Sequence, residues 1–173
     1  YQKEAIRSWA QKGNKKGILA MATGSGKTLT SLWAAKLLAD ECRPLVVIIV
    51  CPFINLASQW IKEINMLGME CVECFDRSRR IWQNELEKEY SSLMLGTKEV
   101  LPIVVSNATF TTRHFQSALK TDKVVHMIIA DEVHNLGADK LSGCLDDKVK
   151  IRMGLSATPK RHFDDEGTQA LFD

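Results

Sequence analysis

From residue 21 the chain reads Met21-Ala22-Thr23-Gly24-Ser25-Gly26-Lys27-Thr28. A glycine-rich turn of this kind can aim successive backbone N–H groups at phosphate oxygens, and a helix opening inside it adds the positive end of its dipole. Gly24 and Gly26 permit backbone angles and a closeness of approach that a Cβ would forbid. Lys27 supplies a point charge for β- and γ-phosphates, and the Thr28 hydroxyl is a hard oxygen suited to Mg²⁺. The general pattern GxxxxGK[ST] asks for glycine where this chain has Met21. A glycine-rich turn alone can bind nothing, but an apolar strand before it and a helix after it favour the phosphate reading.

A second feature, this one acidic, follows the apolar run Val124–Ala130 and reads Asp131-Glu132-Val133-His134. Two adjacent carboxylates at the tip of a buried strand are costly unless they have work. Asp131 suits a metal ligand, and Glu132 suits a group that polarises the water attacking a γ-phosphate. A third segment, Gly154-Leu155-Ser156-Ala157-Thr158-Pro159, puts two hydroxyls at a strand end. Taken singly it is a turn, and a lone His134 is by itself a structural hydrogen-bonder rather than a catalyst.

Strands and helices must alternate to carry these groups. Residues 1–12 place Ile6, Trp9 and Ala10 as one face of a short helix. A strand is expected over Gly17–Ala22, then a helix from Lys27 to Asp40 with Leu29, Leu32, Trp33, Leu37 and Leu38 turned inward. Leu45–Cys51, after the break at Pro44, is a β-branched run typical of a strand covered on both faces. Asn55 is placed to cap a helix with Leu56, Trp60, Ile64 and Leu67 on its apolar side. Further expectations are a strand in Met69–Phe75, a charged helix from Ser78 to Leu95, and a strand over Val100–Ser106. A helix over Ala108–Leu119 and strands over Val124–Ala130 and Lys148–Leu155 complete the series. Such alternation implies βαβ units, right-handed crossovers and an α/β fold with a mostly parallel sheet and helices on both faces. Ligands then bind beyond the carboxyl ends of the strands, where all three segments above fall.

The 173 residues suit one domain, and a hydrophobic share of 45% with 25% charged residues is too apolar for disorder. A net charge of +2 permits a nucleic-acid partner without arguing for one. No apolar stretch approaches the ~20 residues that span a bilayer, and no secretory signal is evident. The chain opens at Tyr1 already in helix and reads as a piece of a longer protein. Five cysteines without framework spacing suit reduced thiols in a cytoplasmic or nucleoid-associated protein, with no disulfide. Cys71 and Cys74 form a lone CxxC without the second pair or histidines that structural zinc needs.

Together, Met-Ala-Thr-Gly-Ser-Gly-Lys-Thr, Asp-Glu-Val-His and Leu-Ser-Ala-Thr-Pro stand in the order and rough spacing of motifs I, II and III of superfamily 2 helicases. The chain resembles the branch containing XPB-like repair helicases and the translocating subunits of type III restriction enzymes. Tyr1-Gln2-Lys3-Glu4-Ala5-Ile6 is similar to that branch's YQxxAI opening, and the stretch from Cys51 to Gln59-Trp60 is similar to its motif Ia. The resemblance covers nearly the whole chain and implies that residues 1–173 are a RecA-like P-loop NTPase domain. It also implies ATP and Mg²⁺ as ligands, and hydrolysis stimulated by nucleic acid, DNA before RNA.

By the same resemblance, Gln2 helps read the adenine, and Thr23, Gly24, Ser25, Gly26, Lys27 and Thr28 hold the phosphates. Thr28 and Asp131 then hold the metal, with Lys27, Asp131 and Glu132 as the catalytic set. His134, Ser156 and Thr158 link hydrolysis to strand movement. Pro52, Phe53 and Asn55, with Ser106, Asn107 and Thr109, touch the nucleic-acid backbone. Phe53 stands where many relatives carry a small or hydroxyl residue, which argues against a phosphate contact from that side chain and leaves stacking on a base open. The second RecA-like domain, with the arginine finger that completes the ATP site, has no counterpart in the sequence.

Two rivals stay open: a nucleotide-dependent clamp whose hydrolysis only resets it, and an RNA helicase. A small-molecule kinase would leave the Ser-Ala-Thr-Pro segment unexplained. The cluster Arg77-Ser78-Arg79-Arg80 reads as a solvated helix start rather than a nucleic-acid guide, and Trp9, Trp33, Trp60 and Trp82 read as packing residues.

Overall fold

A computed structural model describes residues 1–22, 24–132 and 149–157 of the chain. Six strands form a single sheet: β1 (Lys16–Ala20), β2 (Leu45–Cys51), β3 (Val72–Cys74), β4 (Val100–Ser106), β5 (Val125–Ala130) and β6 (Ile151–Ser156). Their order across the sheet is β1-β6-β5-β2-β4-β3, and every described pairing is parallel. All carboxyl ends therefore share one edge. The helices are α1 (Gln2–Arg7), which runs on into a π-helical turn over Ser8–Lys12, α2 (Lys27–Glu41), α3 (Ile54–Met66), α4 (Arg79–Met94), α5 (Asn107–Phe110) and α6 (Arg113–Ala118).

The central strand β2 is buried at every position, and its side chains alternate between two cores. Leu45, Val47, Ile49 and Cys51 meet α1, α2 and α3 through Ile6, Leu32, Ala35, Leu38, Trp60 and Ile64. Val46, Ile48 and Val50 meet α4, α5 and α6 through Trp82, Leu86, Tyr90, Phe110 and Phe115. This is the two-faced parallel sheet that the run of β-branched residues predicted.

Several local expectations are corrected. Helix α2 buries Leu32 and Leu38 but leaves Leu29, Trp33 and Leu37 exposed. Its buried face also carries the small residues Thr30, Ser31, Ala34, Ala35 and Ala39. Apolar residues lie on both sides of this helix, so periodicity could not choose between them, and small side chains allow the closer approach. Helix α3 starts at Ile54, with Phe53 in an extended conformation as its N-cap and no side-chain cap, so Asn55 lies within the first turn. Leu67 ends up exposed beyond the last turn.

The helix expected over Ala108–Leu119 is two short helices. Thr112 breaks it with an extended ψ of 141° and caps α6 by accepting the Phe115 N–H, as Ser106 caps α5 by accepting from Thr109. Hydroxyls at both points offer the backbone an alternative to a continuous helix. The strand in Met69–Phe75 shortens to three residues, and β6 starts at Ile151 rather than Lys148. Of the four tryptophans, Trp9, Trp60 and Trp82 are core, whereas Trp33 lies on the exposed face of α2 with Lys3 over its ring. Arg77 pairs with Glu73 and Glu85, which suits the solvated reading of the basic cluster. No helix among the described residues is long and apolar enough to cross a membrane.

Candidate active site

Strand β6 lies between β1 and β5, with Ala20 level with Ser156 and Ala130 level with Gly154. That register brings the turn after β1 and the acidic pair after β5 to the same edge, although more than a hundred residues of chain separate them. Pairing continues one step past β1, where the buried Met21 donates its N–H to the Ser156 carbonyl at 3.0 Å. Met21 is thus an apolar extension of the strand into the core. Its place in the pattern needs no glycine here.

The turn itself depends on glycine at two points. Gly24 has φ 77°, and Gly26, the N-cap of α2, has φ 85°. A Cβ on Gly26 would also lie 2.7 Å from the Gln2 side-chain nitrogen. That amide donates to the Ser25 carbonyl at 3.3 Å, so Gln2 is seated on the loop itself. The Ser25 hydroxyl donates to the Ala22 carbonyl, which tightens the turn.

Lys27 and Thr28 form the first turn of α2, both half-buried. The Lys27 ammonium donates to the Met21 carbonyl at 3.2 Å and stands 3.9 Å from a Glu132 carboxylate oxygen. Glu132 adopts φ 43°, a left-handed conformation that costs a residue with a Cβ roughly 1–2 kcal/mol. Such strain is common where a side chain must be aimed at a site.

Asp131, 9% exposed, is held on both oxygens. Oδ1 accepts the Glu132 N–H at 2.9 Å, Oδ2 accepts the Trp60 indole N–H at 2.8 Å, and its own N–H donates to the Val50 carbonyl. Burial pushes its carboxyl above the usual range, and the Trp60 hydrogen bond opposes that rise. Trp60 is the residue that sequence reasoning undervalued, as packing and the end of a motif. Its polar tip was the available signal, because a buried indole N–H needs an acceptor.

The donor set fits a magnesium-bound nucleoside triphosphate. Thr28 and Asp131 offer hard oxygens, Lys27 offers a cation, and Gly24 has nothing within 4 Å of where a Cβ would stand.

The chain belongs to the type III restriction enzyme res subunit family. Its family model matches residues 1–161. The putative DNA 3'-5' helicase Rad25 of Haloarcula marismortui is 24% identical over 96% of this chain and 23% of that protein. The DNA 3'-5' translocase XPB2 of Sulfurisphaera tokodaii is 25% identical over 99% of this chain and 32% of its own length. The helicase domain of Pyrococcus furiosus Hef superimposes with a TM-score of 0.71 at 18% identity, over 99% of this chain and 34% of that one. This res-family chain therefore has the RecA-like fold of superfamily 2 helicase cores. It spans about a quarter to a third of the length of these two curated relatives.

The residues expected at the nucleic-acid edge also come together. Strands β2 and β4 are neighbours with Cys51 level with Ser106, so the segments after them lie side by side. Phe53 and Asn55 are exposed there, while Pro52, Ser106, Asn107 and Thr109 are half-buried. Ser106 and Thr109 hydrogen-bond to each other, and the buried Asn107 Oδ1 has no partner among the described residues. Ser156 lies buried at the end of β6, between the phosphate turn and the acidic pair. Thr23, His134 and Thr158 lie outside the described residues. Cys71 and Cys74 are half-buried and buried, no cluster of three or more His, Cys, Asp or Glu side chains suited to a metal occurs among the described residues, and burial pushes the Cys71 thiol up to about 12.

Proposed function

We propose that this chain is the ATP-binding half of a DNA-stimulated motor, in which MgATP hydrolysis drives translocation on DNA or separation of its strands. The observation that carries this reading is the convergence of Lys27, Glu132 and Asp131 at the carboxyl edge of one parallel sheet, with Lys27 and Glu132 3.9 Å apart. The family membership and the DNA-acting names of its relatives support it.

In this reading the turn from Ala22 to Gly26 directs its N–H groups at the phosphates, and Lys27 exchanges the Met21 carbonyl for a phosphate oxygen. Thr28 and Asp131 would hold Mg²⁺, which neutralises charge developing on the phosphates. Glu132 would accept the proton of the attacking water, and its place beside Lys27 orients it towards the phosphate site. Gln2, tied to the phosphate turn through Ser25, suits contact with the adenine edge. Ser156, with Thr158 and His134, would report the state of the site to the strand-binding loops. Phe53 would stack on a base, and Asn55, Ser106, Asn107 and Thr109 would meet the backbone.

The test is steady-state ATP hydrolysis by the polypeptide that carries this domain, at one fixed salt concentration, without nucleic acid and then with single-stranded DNA, duplex DNA or RNA. Stimulation by DNA is expected. Stimulation mainly by RNA would overturn the substrate assignment, and none by any of them would favour a nucleotide-dependent clamp.

A further inference from the structure

We propose that Trp60 is a positioning residue for the metal site: its indole N–H fixes the Asp131 carboxylate in the orientation that receives Mg²⁺. This rests on the MgATP reading above.

The packing around the pair leaves little freedom. Trp60 is 2% exposed and Asp131 9%, so both the indole N–H and the carboxylate are removed from water. Each would be costly without a partner, and each supplies the other's. Trp60 takes Oδ2 and the Glu132 N–H takes Oδ1, so the carboxylate plane is pinned at both ends. A carboxylate oxygen has room for a metal as well as one donor, so these bonds orient Asp131 without using up its ligating capacity. The remaining charged groups felt by Asp131 are Glu132, which repels it, and Lys27, which attracts it. Lys27 is engaged with Met21 and Glu132, which leaves the indole as the side-chain donor that fixes Asp131 among the described residues.

The indole comes from α3, in the middle of the chain, whereas Asp131 ends β5; Trp60 is thus a support brought in from another element. Outer donors of this kind orient metal ligands, and their loss typically weakens metal binding by 10–100-fold. Phe retains much of the ring's packing but has no N–H.

The experiment compares Mn²⁺ binding, followed by electron paramagnetic resonance at saturating ADP, in wild type, Trp60→Phe and Trp82→Phe forms of the polypeptide carrying this domain. Trp82 is a buried tryptophan in the opposite core, against Phe115, and reports the general effect of losing an indole. We expect Mn²⁺ affinity to fall at least 10-fold in Trp60→Phe and to hold in Trp82→Phe, with ADP affinity in the presence of EDTA unchanged in both. If Trp60→Phe does not fold, benzothienylalanine at position 60, in which sulfur replaces the N–H, gives the same comparison with the packing kept. Equal Mn²⁺ affinity in the position-60 variant and wild type, or equal losses at positions 60 and 82, overturns the proposal. Absence of Mn²⁺·ADP binding by wild type overturns the nucleotide-site reading on which it rests.

Discussion

Lys27 is poised between the Met21 carbonyl and the Glu132 carboxylate, so its charge is held at the carboxyl edge of the sheet by contacts a phosphate can replace. Lys27→Ala should leave the fold intact, since neither contact is part of the core, and should lower ATP turnover by roughly 10²–10³-fold. Circular dichroism and steady-state hydrolysis check the two halves of that statement. Glu132→Gln should retain nucleotide binding and stop hydrolysis, because the amide cannot accept the water's proton. The backbone at Glu132 adds a second comparison, since its φ of 43° suits glycine better than any residue with a Cβ. Glu132→Gly should therefore melt no lower than Glu132→Gln while being equally inactive. A lower melting temperature for the glycine variant would mean that contacts of the longer side chain outweigh the strain.

At the scale of elements, α2 illustrates how a helix can be placed correctly and its orientation misjudged. Its bounds follow from Gly26 at one end and the break before Pro44 at the other. Its rotation is seen in which residues it buries: Ser31, Leu32, Ala34, Ala35, Leu38 and Ala39. Replacing Leu32 or Leu38 by Ala should cost about 2–5 kcal/mol in urea unfolding. Leu37→Gln, on the exposed face, should fall within about 0.5 kcal/mol of wild type. Equal costs at positions 37 and 38 would mean that a further partner covers that face. Helix α3 joins two parts of the sheet edge: Phe53 and Asn55 stand at its exposed start, and further along the Trp60 indole donates to Asp131.

For the whole molecule, the sheet edge brings together Lys27, Asp131 and Glu132, which in the proposed reading would bind phosphate and metal and activate water. Stabilising the charge that builds up in the transition state calls for a further cation. An arginine finger contributes about 10³–10⁵ in rate in other P-loop enzymes, and the resemblance assigns it to a second RecA-like domain of the same polypeptide. The 173-residue chain by itself should bind ADP yet hydrolyse ATP at least 10³-fold more slowly than the polypeptide carrying both domains. Parallel titrations with a fluorescent ADP analogue and turnover assays would check this. Comparable turnover by the two would place the completing cation within this chain.

The sequence by itself determined the alternation of elements, the doubly covered strand β2, the glycine-rich turn and the acidic pair. Each is a local signal: a β-branched run, glycines at fixed offsets, carboxylates at the end of an apolar strand. Periodicity could not orient α2, because Leu29, Trp33 and Leu37 compete with Leu32 and Leu38 for the inward face. Nor did it foresee the break at Thr112, where a side-chain hydroxyl replaces a helical backbone bond. What only the tertiary structure decided is which distant residues meet. The placing of β6 between β1 and β5 sets Lys27 beside Glu132, and the packing of α3 on the sheet sets the Trp60 indole on Asp131. Those contacts depend on strand order and helix rotation, which follow from how the whole chain fills its core, and no stretch of sequence encodes them locally.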